Sequence, residues 1–351
     1  MIDDVIILEN FEPFDGMKKA FTESNYPYAN CGYNALLTVV NYFGKEIMPL
    51  INNIVFIYRF YPDKLEANRY FRVDMVNIDL PENVLTRMGI GTCVKSPHPD
   101  ILVEEMTQSI SKGNPVAICI DLYYQPGRTG HYQKKHGLGH LVLIYGYDLK
   151  EHIVHTIDDL LEYREYTLSI DDLVKGYREP FETGIYKVGE AKAYYEFILE
   201  KDTVLNLETS DHSRIIEFSR KMLSYQEEIN ESLNNLIGLA EVFDQVADND
   251  AVLDILSSTI FRKCSEQYRF WYLCDHSFDI LGLRTDINGL LEEIVQGWKK
   301  IRSLAIRRFQ REGTGTEIKN KCKNHILKIY EKENEYNKEV FLLYNKWAAL
   351  D

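Results

Sequence analysis

His140-Leu141-Val142-Leu143-Ile144-Tyr145-Gly146-Tyr147-Asp148 is an apolar and aromatic run that reads as a β-strand beginning on a histidine. Ile153-Val154-His155-Thr156-Ile157 follows and reads as a second strand, closed by Asp158. Upstream, Val116-Ala117-Ile118-Cys119-Ile120-Asp121-Leu122 is a short apolar run bounded by turn signals, a buried strand for the other two to pair with. An imidazole at one strand's start and a carboxylate at the next strand's end suit a general base and its orienting group, if both strands run beside the N-terminus of a helix.

The stretch Asn30-Cys31-Gly32-Tyr33-Asn34-Ala35-Leu36-Leu37 supplies such a helix. Its apolar side chains keep helical spacing through Phe43, and Gly44 stands where a C-terminal glycine belongs. Cys31 opens that helix, where the macrodipole stabilises a thiolate. The order Cys31, His140, Asp158 is that of a papain-like nucleophile system: a thiol, a proton acceptor and a carboxylate that holds the tautomer. Asp159 rivals Asp158 as the third member, because only strand register decides which one faces His140. A lone cysteine before an apolar helix is more often a small buried hydrophobe, and the later histidine-led strand shifts that balance. For the oxyanion hole, Asn25 is the candidate donor with Asn30 beside it, although Ser24-Asn25-Tyr26-Pro27 is equally a turn.

Between the first two of these strands in chain order lies Tyr123 to Gly139, a loop with four glycines, three tyrosines and the histidines His131 and His136. Loops of this length carry function or move. Tyr123, Tyr124, Tyr132 and His136 are therefore substrate-binding candidates, with ordinary loop packing as the plain alternative. His131, His136 and His140 with Asp121 make a metal site imaginable, but the interleaved glycines give no rigid ligand face, so no metal and no bound cofactor is expected.

The expected fold class is α+β: a papain-like catalytic domain over residues 1–205 and a C-terminal helical bundle over 206–351, divided between Lys201 and Ser213. Pro81 to Gly89 and Pro99 to Ser111 read as helices, and Ala193 to Leu199 as the last strand. Arg214 to Val246, Ala251 to Tyr272, Asp286 to Gln310 and Glu317 to Ala349 read as long bundle helices. With 351 residues the chain can bury a sizeable core. The opening Met1-Ile2-Asp3-Asp4 has no basic n-region and no stretch is long and apolar enough to span a bilayer, so a cytoplasmic protein is expected. Six cysteines fall in no disulfide framework or paired CxxC elements. A net charge of −14 argues against nucleic acid or an anionic membrane as partner. Lys299, Lys300, Arg302, Arg307, Arg308, Arg311, Lys319, Lys321, Lys323 and Lys328 are opposed only by Glu312 and Glu317. That stretch is either a solvated helix face or a dock for an acidic partner.

Asn30 to Leu36 with Asn41-Tyr42-Phe43-Gly44, Gly113-Asn114-Pro115-Val116 leading to Asp121-Leu122-Tyr123-Tyr124, and His140 to Asp148 before Asp158 together resemble the butirosin biosynthesis protein H family, over about residues 20–200. The more distant bacteriocin-processing C39 peptidases share the Cys-His-Asp layout. The resemblance implies a papain-like fold that moves an acyl group from a carrier-protein thioester to an amine on a small molecule. Cys31 would take the acyl group, His140 act as base and Asp158 orient it. Phosphopantetheine would be borne by an acyl or peptidyl carrier protein. The chain departs from papain-like peptidases at Asn25, where they have glutamine. A thioesterase or C39-like peptidase, and a non-catalytic interaction protein on the same scaffold, are the alternatives.

Overall fold

The computed structural model describes residues 3–14, 30–65, 70–158, 164–186, 192–200, 211–247, 251–276, 284–309 and 315–350. In chain order the strands are β1 (Val5–Ile7), β2 (Ile54–Phe60), β3 (Phe71–Asn77), β4 (Ile90–Lys95), β5 (Val116–Ile120), β6 (His140–Asp148), β7 (Ile153–Asp158), β8 (Arg164–Ser169) and β9 (Tyr194–Leu199). The helices used below are α1 (Cys31–Tyr42), α2 (Pro81–Arg87), α3 (Leu102–Ser111), α4 (Ile170–Glu182), α5 (Asp211–Ser224), α6 (Gln226–Ser232), α7 (Asn234–Val246), α8 (Ala251–His276), α9 (Arg284–Phe309) and α10 (Gly315–Ala348). The fold is α+β, with a sheet-rich N-terminal region and a helical C-terminal one.

The chain divides into two compact units, Met1–Leu50 with Leu80–Leu207, and Ile51–Asp79 with Glu208–Asp351. The expected single cut near residue 205 therefore needs a correction, because residues 51–79 cluster with the helices. The reason is visible in their contacts. β2 and β3 form their own two-stranded sheet rather than joining the large one. Asn235 Nδ2 donates to the Tyr58 carbonyl at 2.9 Å, the Arg59 guanidinium pairs with Glu228 at 2.7 Å, and Arg269 donates to the Ile54 carbonyl.

In the first unit the sheet runs β4-β9-β5-β6-β7-β8, with β1 pairing on β6. Its ladders are antiparallel. β6 is the central strand: β5 borders its first half, β1 its last residues and β7 the other side. Gly146 permits the close approach of β1, since a Cβ there would stand 2.9 Å from the Ile6 carbonyl oxygen. α1 packs on β6 and β7, and α4 on β5, where the Asp121 amide donates to the Gly176 carbonyl at 2.9 Å. Buried Leu37, Val39 and Val40 of α1 and Val142, Ile144 and Val154 of the sheet belong to this core.

In the second unit α10, 34 residues long, is the spine. Residue pairs 332–293 and 322–301 run in opposite directions along α10 and α9, so these two helices are antiparallel. The pairs 319–244, 337–230 and 348–220 lay α10 against α7, α6 and α5 in turn. The single helix expected from Arg214 to Val246 is interrupted at Tyr225 and Leu233. An ionic cluster is buried inside this unit. The Lys263 ammonium pairs with Glu333 at 2.8 Å and with Glu266, while the Tyr58 hydroxyl donates to Glu333 at 2.5 Å and that of Tyr336 to Glu266 at 3.3 Å. Burial pushes the Glu333 carboxyl up, and Lys263 opposes that shift. The two carboxylates hold the Lys263 ammonium charged against the burial that disfavours it. No helix among the described residues is long and apolar enough to cross a membrane.

Candidate active site

α1 begins where local chemistry tells it to. The Asn30 side chain accepts from the Tyr33 amide at 2.9 Å as N-cap, and Cys31 is the first helical residue. At the far end Gly44 takes φ +65° and closes the helix, as its position in sequence predicts. This bond engages Asn30 Oδ1, the acceptor; the oxyanion role would fall to its Nδ2 donor. Asn25, the other oxyanion candidate, and Asp159 lie outside the described residues.

His140 enters β6 directly after Gly139, whose φ of +77° sets the turn out of the loop. In the β5–β6 register Ile120 faces His140 and Cys119 faces Leu141. Burial, with the nearby Cys31 adding to it, pushes the Cys119 thiol up to about 12. Cys31 thus lies within electrostatic reach of Cys119, and α1, which it opens, packs on β6 and β7.

The imidazole and carboxylate meet as the strand order predicts. His140 Nε2 stands 2.8 Å from both oxygens of Asp158. Asp158 is held further by Gln125, whose Nε2 donates to Oδ2 at 2.6 Å, and by Arg128, whose Nη2 donates to the same oxygen at 2.8 Å. The Arg128 Nε donates in turn to Gln125 Oε1 at 3.0 Å, and Gln125 also bonds the Tyr166 hydroxyl on β8. Burial raises the Tyr166 phenol and the Asp158 charge adds to the shift, so this hydroxyl stays protonated. Its own donor and acceptor capacity is therefore retained.

Gln125 and Arg128 were not among the candidates. The signal that could have found them is Gln125-Pro126-Gly127-Arg128, a type II turn pattern with Pro at its second position and Gly127 at φ +89° at its third; the Arg128 amide closes it on the Gln125 carbonyl at 3.3 Å. Such a turn sets its first and last residues side by side, which is how these two side chains reach one carboxylate.

The other loop residues form a separate group. Asp121, fully buried, accepts from His136 Nδ1 at 2.5 Å and from the amides of Tyr123 at 3.0 Å and Gly137 at 2.8 Å. Burial alone would raise the Asp121 carboxyl; these three donors outweigh it and lower it. The same bond to Asp121 raises the His136 imidazole against its slight burial. The His136 ring stacks on Tyr123 at 4.6 Å, Tyr123 meets Tyr124 edge-on at 5.0 Å, and the Tyr124 hydroxyl donates to Glu179 at 3.2 Å. Tyr132 bonds through its amide to the Arg128 carbonyl at 2.7 Å, and His131 Nδ1 lies 3.1 Å from the Lys135 carbonyl oxygen. These contacts fasten the loop onto itself and onto α4. Among the described residues no group of three or more His, Cys, Asp or Glu side chains is placed to hold a metal ion.

Compared with known proteins, the chain matches no protein-family model and no curated sequence. The resemblance noted above is therefore carried by its short motifs alone.

Proposed function

We propose that this protein is a papain-like cysteine acyltransferase that moves an acyl group from a carrier-protein thioester to an amine. The observation that carries the reading is the His140–Asp158 pair, 2.8 Å at both oxygens, on the two strands against which the Cys31 helix packs. With Nε2 bonded to the carboxylate, Nδ1 is the ring nitrogen for the thiol.

In the first step the Cys31 thiol gives its proton to His140 and its sulfur attacks the thioester carbonyl; a new C–S bond forms, the pantetheine C–S bond breaks, and the departing thiolate takes the proton back from His140. Exchange between two thioesters is nearly balanced, which suits a sulfur nucleophile. In the second step the amine nitrogen attacks the acyl-Cys31 carbonyl, the amide forms, the Cys31 sulfur leaves, and the amine proton passes to His140. The fastened Tyr123–Gly139 loop favours the amine by keeping water out. The basic stretch on α9 and α10 is the proposed dock for an acidic carrier: Lys300 and Lys328 both lie near enough to His325 to lower its imidazole, after burial.

Intact-mass measurement after incubation with a panel of acylated carrier proteins tests the reading. A mass gain equal to the acyl group, absent in Cys31→Ala and discharged faster by an amine than by buffer, is expected. Discharge by water alone makes the protein a hydrolase, and no gain with any donor refutes acyl-enzyme chemistry.

A further inference from the structure

The pair His140–Asp158 has a third member that the proposed chemistry does not require. The Arg128 Nη2 that donates to Asp158 Oδ2 at 2.8 Å also stands 2.9 Å from His140 Nε2. A carboxylate is a far better acceptor for an imidazole N–H than a neutral ring nitrogen is for a guanidinium, so Nε2 carries the ring proton and gives it to Asp158. A fixed cation then sits against the ring, and it opposes a second proton arriving at Nδ1. The turn 125–128 presets this placement, and the Gln125 side chain secures both Arg128 and Asp158.

We infer that Arg128 is a positioning residue of this site: it clamps the Asp158 carboxylate onto His140 and, through its charge, keeps the imidazole neutral and able to take a proton. The inference rests on the acyltransfer reading for its purpose, though not for its test. The groups shown around the ring are Asp158 on β7 and Arg128 on the loop, with Tyr166 on β8, held protonated, linked to them through Gln125.

The test is an NMR titration of the full chain with isotope-labelled histidine, His140 being assigned by the resonance lost in His140→Asn. Arg128→Met is expected to raise the His140 midpoint by about one pH unit or more, because a neighbouring cation is removed while Asp158 stays. Arg128→Lys, which keeps the charge, is expected to hold the midpoint within about half a unit of the wild type. A residue acting only as packing moves both variants alike or neither. An unchanged midpoint in Arg128→Met, or an equal rise in Arg128→Lys, overturns the inference. If Arg128→Met fails to fold, Arg128→Gln takes its place with the same expected rise. Failure of acyl-enzyme formation in the mass experiment leaves this titration standing, and an unshifted titration leaves acyl-enzyme formation standing, so the two readings fall separately.

Discussion

Asp158→Asn probes the charge balance around His140. In the native site the ring nitrogen is 2.8 Å from the carboxylate oxygens and 2.9 Å from the Arg128 guanidinium. The side chains of His140, Asp158 and Arg128 keep only 10%, 2% and 19% of their exposure, so water screens little of this. With an effective dielectric constant near 20, each unit charge at that distance acts on a protonated ring with about 6 kcal/mol, and the two act with opposite signs. The near cancellation is what Asp158→Asn destroys: the attraction vanishes and the repulsion remains. If about 3–5 kcal/mol of that attraction survives relaxation and is lost at the step that charges the ring, the rate falls roughly 10²- to 10⁴-fold. The assay is acyl-enzyme formation on Cys31, followed by rapid quench and intact mass with a small acyl thioester at neutral pH. Adding Arg128→Met to Asp158→Asn removes the stranded cation, and the double variant is expected to regain at least about tenfold over Asp158→Asn alone. If the two substitutions instead multiply as independent losses, Arg128 and Asp158 do not share the ring, and the charge argument is wrong.

Timed alkylation with peptide mapping should find Cys31 labelled much faster than an ordinary thiol and Cys119 much slower, since burial raises the latter to about 12; equal rates at the two cysteines contradict that. Lys263→Met strands Glu333 and Glu266 in the core of the helical unit and is expected to cost about 3–5 kcal/mol in denaturant unfolding, against about 1–3 kcal/mol for Tyr58→Phe; the reverse order would show that the ionic cluster is not charged. The raised His136 imidazole contributes stability that is full below its unfolded value and lost as pH climbs through its folded one. The lowered Asp121 carboxyl contributes above its unfolded value and loses its share as pH falls through the folded one. The loop latch is therefore tightest between these limits, and Asp121→Asn should lower the His136 titration midpoint seen by NMR; an unmoved midpoint removes the latch.

The strands carrying His140 and Asp158 were legible because each is a strongly apolar run with the polar residue at its end, and the Cys31 helix because its cap and its closing glycine both obey local rules. What escaped the sequence was long-range. Ile54–Phe60 and Phe71–Asn77 look like any other strand pair, and only the partners of Tyr58, Arg59 and Ile54 in α6, α7 and α8 assign them to the helical unit. β1 to β4, β8 and α4 are not among the elements read from the sequence, although Ser169 caps α4 through the Asp172 amide at 3.0 Å. The breaks at Tyr225 and Leu233 have no glycine or proline to announce them. At the site, periodicity says nothing about Gln125 and Arg128, whose role depends on a turn that places two polar side chains against one buried carboxylate.

The arrangement also bears on which half of the reaction the site serves. A thioester donor asks little of a general acid, because the departing thiolate needs no strong acid. The attacking amine must shed a proton, and only a neutral Nδ1 can receive it. A cation beside Nε2 sacrifices some imidazolium, and with it some support for the Cys31 thiolate, in return for a base that is free at neutral pH. Arg128→Met should therefore slow discharge of acyl-Cys31 by an amine more than it slows loading, with the discharge optimum moving to higher pH as the ring becomes harder to deprotonate. Single-turnover loading and discharge, measured separately across pH, decide this: equal slowing of both steps with no movement of the optimum would reduce Arg128 to a clamp on the carboxylate and remove its part in the choice between the two steps.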